Sequence, residues 1–162
     1  MEIIKLNSAD VELAAPLAAN FRVALNSYKG ILSQPNIEAG KEELLEYIET
    51  GFPMYAAVEG EKFVGYLVCR VDEPTVWIES IYVLDNYRRH GVASLLLEKA
   101  ESLAKSYGED TVFNYVHPNN IGMIAFLNKH GYTVLNLIEI RKPFSGEKLS
   151  TRIRVGDNLF DY

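Results

Sequence analysis

The chain has 162 residues, an apolar share of 48%, a formal net charge of −6 at pH 7 and a single cysteine. This length fits one domain, and the apolar content is typical of a folded globular chain. The negative charge argues against a nucleic-acid partner and favours a cationic one such as an amine. One cysteine excludes an intrachain disulfide framework. No apolar run of about 18 residues and no signal-peptide pattern is present, which predicts a cytoplasmic protein with no membrane partner.

The first half of the sequence predicts a strand, two helices and three more strands. Apolar residues at helical spacing predict a first helix after Asp10, with a restart or kink at Pro16 because proline is unfavourable inside a helix. A loop, Asn26–Pro35, should follow it. The remaining predicted elements are the strand Glu2–Leu6, a helix Ile37–Thr50 with Leu44, Leu45 and Ile48 inward, and the strands Met54–Val58, Phe63–Val71 and Thr75–Leu84.

The stretch Val83 to Ala104 predicts a strand end, a polar turn and an amphipathic helix. Gly91 stands at the helix entrance, and Gly108 stands where a left-handed C-terminal cap is expected. The predicted apolar face carries Val92, Leu96, Ala100, Leu103 and Tyr107. A helix start presents unpaired backbone N–H groups and partial positive charge, and a glycine lets a ligand approach them closely. With Arg88, Arg89 and His90 before it, this turn predicts a pyrophosphate site.

The second half continues with a strand, a helix and another strand. Thr111–Val116 is the predicted fifth strand, and Asn119 or Asn120 should cap a helix that reaches His130 and ends at Gly131. Tyr132–Arg141 is the predicted sixth strand. A strand–helix–strand crossover in the middle of the chain implies a mixed sheet whose two strands around the central helix are parallel.

Two motifs carry a family resemblance. Arg88-x-x-Gly91-x-Ala93 resembles motif A of the GNAT superfamily of N-acetyltransferases, and the segment from Asn120 to Tyr132 resembles its motif B. The resemblance covers roughly residues 1–143. It implies an α/β fold with a central mixed sheet flanked by helices. It also implies an enzyme that transfers the acetyl group of acetyl-CoA to a primary amine on a small molecule, peptide or protein. No metal is expected to take part. The cofactor-binding residues that it implies are Ile81, Tyr82 and Val83 on the fourth strand, Arg88, Arg89, His90, Gly91, Val92, Ala93 and Ser94 around the turn, and Asn120.

The sequence departs from the family pattern in motif B. The tyrosine that frequently protonates the departing thiolate in that family falls at Leu127, and leucine has no proton to donate. Met123 also stands where a small alanine is usual. Either the thiolate is released to solvent or another tyrosine substitutes, Tyr132 and Tyr115 being nearest in sequence.

The reaction that the resemblance implies needs a base, because a protonated amine cannot attack a thioester. Glu79 is the first candidate, since a carboxylate among apolar strand residues is a stronger base. If the strand is regular, Trp77, Glu79, Ile81 and Val83 share one face. An ion pair or a solvent-facing side chain is the competing interpretation for Glu79. His117 is the second candidate, at the end of the fifth strand.

The tail Ser145–Tyr162 lies beyond the predicted core, so we expect one domain, 1–162, with a core over 1–143 and an extension over 144–162. Alternation around Ile153, a turn at Gly156-Asp157-Asn158 and the aromatic end predict a hairpin that docks on a sheet edge or forms a homodimer contact. A non-catalytic acyl-CoA-binding regulatory domain is the main alternative function. A dinucleotide binder is disfavoured because the turn has one glycine only.

Overall fold

The computed structural model describes all 162 residues, which divide into two units, Met1–Phe126 and Leu127–Tyr162. The elements in chain order are β1 (Glu2–Lys5), α1 (Val11–Tyr28), α2 (Ile37–Glu49), β2 (Met54–Glu59), β3 (Lys62–Asp72), β4 (Thr75–Val83), α3 (Val92–Ser106), β5 (Phe113–Asn114), α4 (Ile121–Lys129), β6 (Arg152–Val155) and β7 (Asn158–Asp161). None of the helices combines the length and the apolar character needed to span a bilayer.

The first unit is built on a five-stranded sheet in the order β1-β2-β3-β4-β5. The first three pairs are antiparallel, and β4 pairs with β5 in parallel across the α3 crossover. This confirms the predicted mixed sheet with its parallel pair around the central helix. The predicted fifth strand is much shorter than expected, because only Phe113 and Asn114 pair with β4.

Helices cover both faces of this sheet. On one face Tyr66 and Val68 of β3 pack with Leu17 of α1 and Leu44 of α2 in a single buried cluster. Each such side chain contributes on the order of 1.5–3 kcal/mol when it is removed from water. On the other face lies α3, whose Leu96 is fully buried. The sheet thereby holds the start of α3 in a fixed position beside the end of β4.

The first helix runs without interruption through Pro16 to Tyr28. The predicted restart is therefore wrong, and the predicted loop begins later, at Lys29. Proline in a helix interior costs roughly 3 kcal/mol. The helix tolerates that cost because its alanine-rich face is buried on both sides of the proline, at Ala14, Ala15, Leu17, Ala18 and Ala19.

Two predicted helix faces need correction. In α2, Leu44 is buried as expected, but Leu45 is 37% exposed. In α3 the buried residues are Val92, Leu96, Leu97, Ala100 and Ala104, whereas the predicted Leu103 is half-buried and Tyr107 is 36% exposed. The observed buried face of α3 is rotated relative to the predicted one because the helix packs across several strands. A single row of apolar residues at helical spacing does not describe such a broad contact. Gly108 adopts a φ of 84° after the helix, as predicted for a left-handed cap.

A bulge in β4 lies at Glu79. On β3, Val68 is opposite Ser80, but the next residue, Cys69, is opposite Ile78. Glu79 is therefore the extra residue on its strand and has no partner across the ladder. Such a bulge reverses the alternation of the strand, so residues before and after it do not keep a common face.

The bulge places Trp77 and Ile81 on opposite faces of the sheet. Trp77 is opposite Arg70 and Ile81 is opposite Leu67, and directly opposed residues share a face. Residues 67 and 70 are an odd number of positions apart on β3, so they point in opposite directions. The predicted common face of Trp77, Glu79, Ile81 and Val83 is therefore wrong, because it assumed a regular pleat.

The second unit contains the end of α4 and the hairpin of β6 and β7. The predicted hairpin is confirmed, whereas its docking stays a prediction: Ile153 pairs with Phe160, and Arg152 pairs with Asp161 in the ladder and through an ion pair of 3.0 Å. The predicted sixth strand, Tyr132–Arg141, does not form. Its alternation of apolar residues is present, but no neighbouring strand pairs with its backbone, and Val134 remains 85% exposed.

Candidate active site

The site is built where β4 and β5 separate. Their parallel pairing consists of Trp77–Phe113 and Ile78–Asn114 only, so beyond these pairs each strand presents unpaired backbone groups toward the other. The Asn114 Oδ1 atom is buried there without a hydrogen-bond partner. A buried acceptor left unsatisfied is unfavourable, and such groups tend to occur where a ligand or water completes the site. The last residues of β4, Ile81 to Val83, come after the final pair that β4 makes with β5.

The turn between β4 and α3 forms a concave set of backbone N–H groups. Arg89 has a φ of 67° and Gly91 a φ of 84°, and α3 begins at Val92. The N–H groups of residues 89–93 make no backbone hydrogen bond within the protein. Successive N–H groups in such a turn form an anion-binding concavity, and the helix start adds partial positive charge.

Gly91 faces open space. A Cβ atom built there would have no protein atom within 4 Å, so a side chain at this position would occupy space that the protein leaves open beside the turn. The left-handed conformation itself favours glycine. The open space at Gly91 and the unpaired N–H groups are compatible with the predicted pyrophosphate site, which stays a prediction.

Arg88 braces the turn. Its Nε donates a hydrogen bond of 3.0 Å to the Val83 carbonyl, its Nη2 lies 2.8 Å from Asp85 Oδ1, and its guanidinium stands 5.4 Å above the Tyr82 ring. These contacts tie the end of β4 to the turn, so this arginine shapes the site as well as adding charge. Arg89 and His90 are exposed and lie within the N–H concavity.

Glu79 is not surrounded by apolar side chains as the sequence suggested. Its Oε2 lies 3.8 Å from Arg70 Nη1, and Arg70 Nε lies 3.1 Å from Asp72 Oδ2. The Glu79 side chain is one-third exposed. The ion-pair interpretation is thus realised, while the bulge still keeps the carboxylate beside the point where β4 and β5 separate.

His117 sits in a network that fixes its proton. Its Nδ1 accepts a hydrogen bond of 3.1 Å from the Asn119 backbone N–H, so the neutral ring carries its proton on Nε2. The ring stacks on Tyr28 with centroids 6.2 Å apart. Burial, with a smaller effect of the neighbouring Lys29, lowers the pKa of His117. In this arrangement His117 is a neutral hydrogen-bond donor, whereas a base would need an unoccupied lone pair.

Asn120 caps α4, as predicted. Its Oδ1 accepts a hydrogen bond of 3.1 Å from the Met123 backbone N–H, which leaves the side-chain NH₂ group as a donor. Gly131 ends this region with a φ of 87°. Leu127 is 7% exposed and supplies no hydroxyl.

Sequence reasoning missed Arg70, Trp77 and Tyr115 as one cluster. Trp77 stacks on Tyr115 with centroids 4.9 Å apart and planes 8° apart, and the Arg70 guanidinium lies 5.3 Å from the centroid of the Trp77 ring. Because the bulge sets which β4 residues face Arg70, no simple alternation pattern could have revealed this cluster. The sequence singled out Tyr115 only as a candidate proton donor, and its place directly after the short β5 was the available signal for the stack.

The sequence model of the acetyltransferase (GNAT) family matches residues 23–132, which include the turn before α3 and the whole of the motif B segment. The chain belongs to the GNAT acetyltransferase family. The family and the fold expected from the resemblance are therefore confirmed, while the roles assigned to the residues of the two motifs stay predictions.

Similar proteins agree with this membership. A probable N-acetyltransferase, san, from Drosophila melanogaster is 28% identical over 100 residues, which cover 59% of this chain and 54% of that protein. The chain thus spans about half the length of that curated relative. Among solved structures, a mutant of a Bacillus halodurans protein, BH1408, has a TM-score of 0.72 at 20% identity over 89% of this chain and 100% of that one. A PaiA N-acetyltransferase from Thermoplasma acidophilum, solved with coenzyme A, has a TM-score of 0.63 at 23% identity over 79% and 87%.

Proposed function

We propose that the chain is an acetyl-CoA-dependent N-acetyltransferase that acetylates a primary amine. The observation that carries the proposal is the set of unpaired N–H groups at residues 89–93, held at the start of α3 beside the opening between β4 and β5. A helix start of this kind suits a pyrophosphate, and the unpaired edge of an adjacent strand suits the extended amide chain that coenzyme A carries.

The chain offers a partner for each part of the cosubstrate. The turn from Arg88 to Ser94 would hold the pyrophosphate. The backbone of Ile81, Tyr82 and Val83, together with the Asn120 amide, would hold the pantetheine arm. Acetyl-CoA, when bound, supplies an acetyl group activated as a thioester.

The transfer forms a nitrogen–carbon bond and breaks the carbon–sulfur bond. Glu79 takes the proton of the attacking amine, directly or through a water, because its carboxylate lies at the bulge beside the opening. A hydrogen-bond donor must stabilise the charge that develops on the carbonyl oxygen, and the backbone N–H groups of Ile81 to Val83 are the candidates. Since Leu127 donates no proton, the thiolate leaves to solvent or takes its proton from a tyrosine elsewhere.

A specific observation favours one alternative, a non-catalytic acyl-CoA-binding domain. Leu127 replaces the usual proton donor, and the Glu79 carboxylate lies 3.8 Å from Arg70 Nη1 in an ion pair rather than facing the opening alone. Neither feature excludes acetyl transfer to an amine, because a thiolate is an acceptable leaving group near neutral pH. The alternative shares the cosubstrate site and differs only in the absence of transfer.

A two-stage experiment tests the proposal. Calorimetry first measures acetyl-CoA binding, and a panel of amines, peptides and aminoglycosides is then screened for release of the CoA thiol, with mass spectrometry of the product. Thiol release together with an acetylated amine supports the enzyme. Tight binding with no release across the panel supports the binding domain, and no binding contradicts both functions.

A further inference from the structure

An exposed aromatic stack stands at the opening between β4 and β5. The rings of Trp77 and Tyr115 lie 4.9 Å apart and nearly parallel, at 8°, and Phe113 packs on Trp77 at 4.9 Å. Tyr115 is 63% exposed, although it belongs to this stack. A large aromatic surface that faces water at the edge of a cleft often marks a binding surface.

Charged groups border the stack. The Arg70 guanidinium lies 5.3 Å from the centroid of the Trp77 ring, and its two carboxylate neighbours are Asp72 at 3.1 Å and Glu79 at 3.8 Å. Two carboxylates around one guanidinium leave a net negative charge. The arginine is already held by Asp72 and by the ring, so the uncompensated charge is that of the carboxylates.

The aromatic and acidic groups meet where the strands separate. Ile78 and Asn114 are the last paired residues of β4 and β5, so Glu79 and Tyr115 are the first residues beyond them on the two strands. Tyr115 shares a face with Phe113, two positions before it. Phe113 is the ladder partner of Trp77, so the stack lies on the sheet face that also carries Arg70.

We propose that Arg70, Asp72, Trp77, Glu79 and Tyr115 form an acceptor-side surface that binds a second positive charge of the amine acceptor. This inference rests on the proposed function. A cation is attracted to the face of an aromatic ring, and the surplus carboxylate adds attraction of the same sign. The acceptor class is accordingly a diamine or polyamine, in which one nitrogen reacts and another, protonated, lies against Tyr115. The formal charge of −6 on the chain favours the approach of such a cation.

Putrescine and n-butylamine test this surface, because they share a four-carbon chain and differ in the second ammonium group. We expect kcat/KM to favour putrescine by about tenfold or more, beyond the factor of about two that its two equivalent amines give. The preference should shrink as salt is added, since exposed charges are screened.

Two variants of Tyr115 distinguish the contribution of its ring from that of its hydroxyl to the preference for putrescine. Tyr115→Leu should remove most of the preference, whereas Tyr115→Phe should keep it because the ring face remains. If Tyr115 instead donates a proton to the leaving thiolate, Tyr115→Phe lowers the rate for both amines equally and leaves the preference ratio of the wild type. Tyr107→Leu, a change of an exposed tyrosine at the end of α3, is the matched control and should keep both rates.

Equal kcat/KM for the two amines in the wild type, or a full preference in Tyr115→Leu, would overturn the inference while leaving the proposed function intact. If no amine is acetylated, the proposed function fails. Calorimetric titration of putrescine into the CoA-saturated protein then tests cation binding at this surface independently of acetyl transfer. Binding that weakens in Tyr115→Leu and not in Tyr107→Leu supports it. Absence of binding, or equal binding in both variants, contradicts it.

Discussion

Arg70 Nη1 lies 3.8 Å from Glu79 Oε2, across the two antiparallel strands and beside the bulge. The same guanidinium contacts Asp72 and stands over Trp77, so three partners hold it in place. Glu79 is therefore a positioned carboxylate with a cation at one side and the cleft at the other. This arrangement restricts where the carboxylate can reach, which is a requirement for a base that acts on one bound amine.

Replacing Glu79 tests its assignment as the base. Glu79→Gln should lower kcat at neutral pH by ~10²-fold, because the amide cannot take the amine proton. Affinity for acetyl-CoA should stay close to that of the wild type. The matched control is Glu98→Gln, a change of an exposed carboxylate on α3, which should leave kcat intact. A folded Glu79→Gln protein with wild-type rates would remove Glu79 from the mechanism.

The sequence predicted the turn and the start of α3 well, because the signals there are local. Gly108 has the left-handed conformation expected at its position, and α3 begins directly after Gly91 as predicted. The surroundings of Glu79 were not predictable in the same way. They depend on a one-residue shift in the pairing of β3 with β4, and strand alternation alone carries no information on where a bulge falls.

His117 makes stability depend on pH. Burial, together with Lys29, lowers the pKa of its folded form below the ordinary value of 6.5, so the unfolded chain binds the proton more readily than the folded one. The stabilisation is thus complete above that ordinary value and is lost as the pH falls through the folded pKa. When the pH is lowered from about 7.5 to about 5.5, the melting temperature of the wild type should decrease more than that of His117→Gln, because a glutamine side chain does not titrate. Equal losses in the two proteins would show that His117 does not contribute.

Gly40 allows α1 and α2 to pack closely. A Cβ at this position would lie 2.6 Å from the Ala15 carbonyl oxygen and 2.9 Å from the Ala19 backbone nitrogen. Gly40→Ala should therefore lower the free energy of unfolding by about 1–3 kcal/mol, although alanine is the better helix former. Gly122→Ala is the matched helical control, since its nearest neighbour is 4.0 Å away, and it should leave stability unchanged or slightly higher. Denaturant unfolding of both variants measures the difference, and equal stabilities would contradict close helix packing at Gly40.

Two errors of the sequence-based prediction have a common physical origin. Pro16 was expected to interrupt α1, and Tyr132–Arg141 was expected to form a strand. In both places the local sequence signal is real, but the secondary structure that forms depends on contacts with residues elsewhere in the chain. Buried alanines hold α1 together around its proline, whereas an alternating apolar segment without a neighbouring strand has no ladder to join.

The C-terminal hairpin should contribute to stability. Pairing between Thr151 and Tyr162 closes it beyond the ladder, with backbone hydrogen bonds of 2.9 and 3.2 Å, yet an isolated two-stranded hairpin is marginal in water. We expect that it docks on the protein or on a second copy, so that a chain ending at Gly146 has a melting temperature lower by several degrees, roughly 2–4 °C per kcal/mol lost. If the contact crosses a dimer, light scattering should also show a smaller mass. A shortened chain with unchanged melting temperature, mass and activity would contradict docking.

The cosubstrate site at the start of α3 can be tested by calorimetric titration of acetyl-CoA into the wild type, Gly91→Val and Gly108→Val. Both glycines have a φ of 84°, and a Cβ atom at either one would have no protein atom within 4 Å, so the two substitutions impose the same backbone strain at the two ends of α3. Only Gly91 lies at the proposed pyrophosphate turn. Gly91→Val should weaken acetyl-CoA binding about tenfold or more, equivalent to about 1.4 kcal/mol, while Gly108→Val binds like the wild type. Equal affinity in all three proteins would contradict a cosubstrate site at the start of α3.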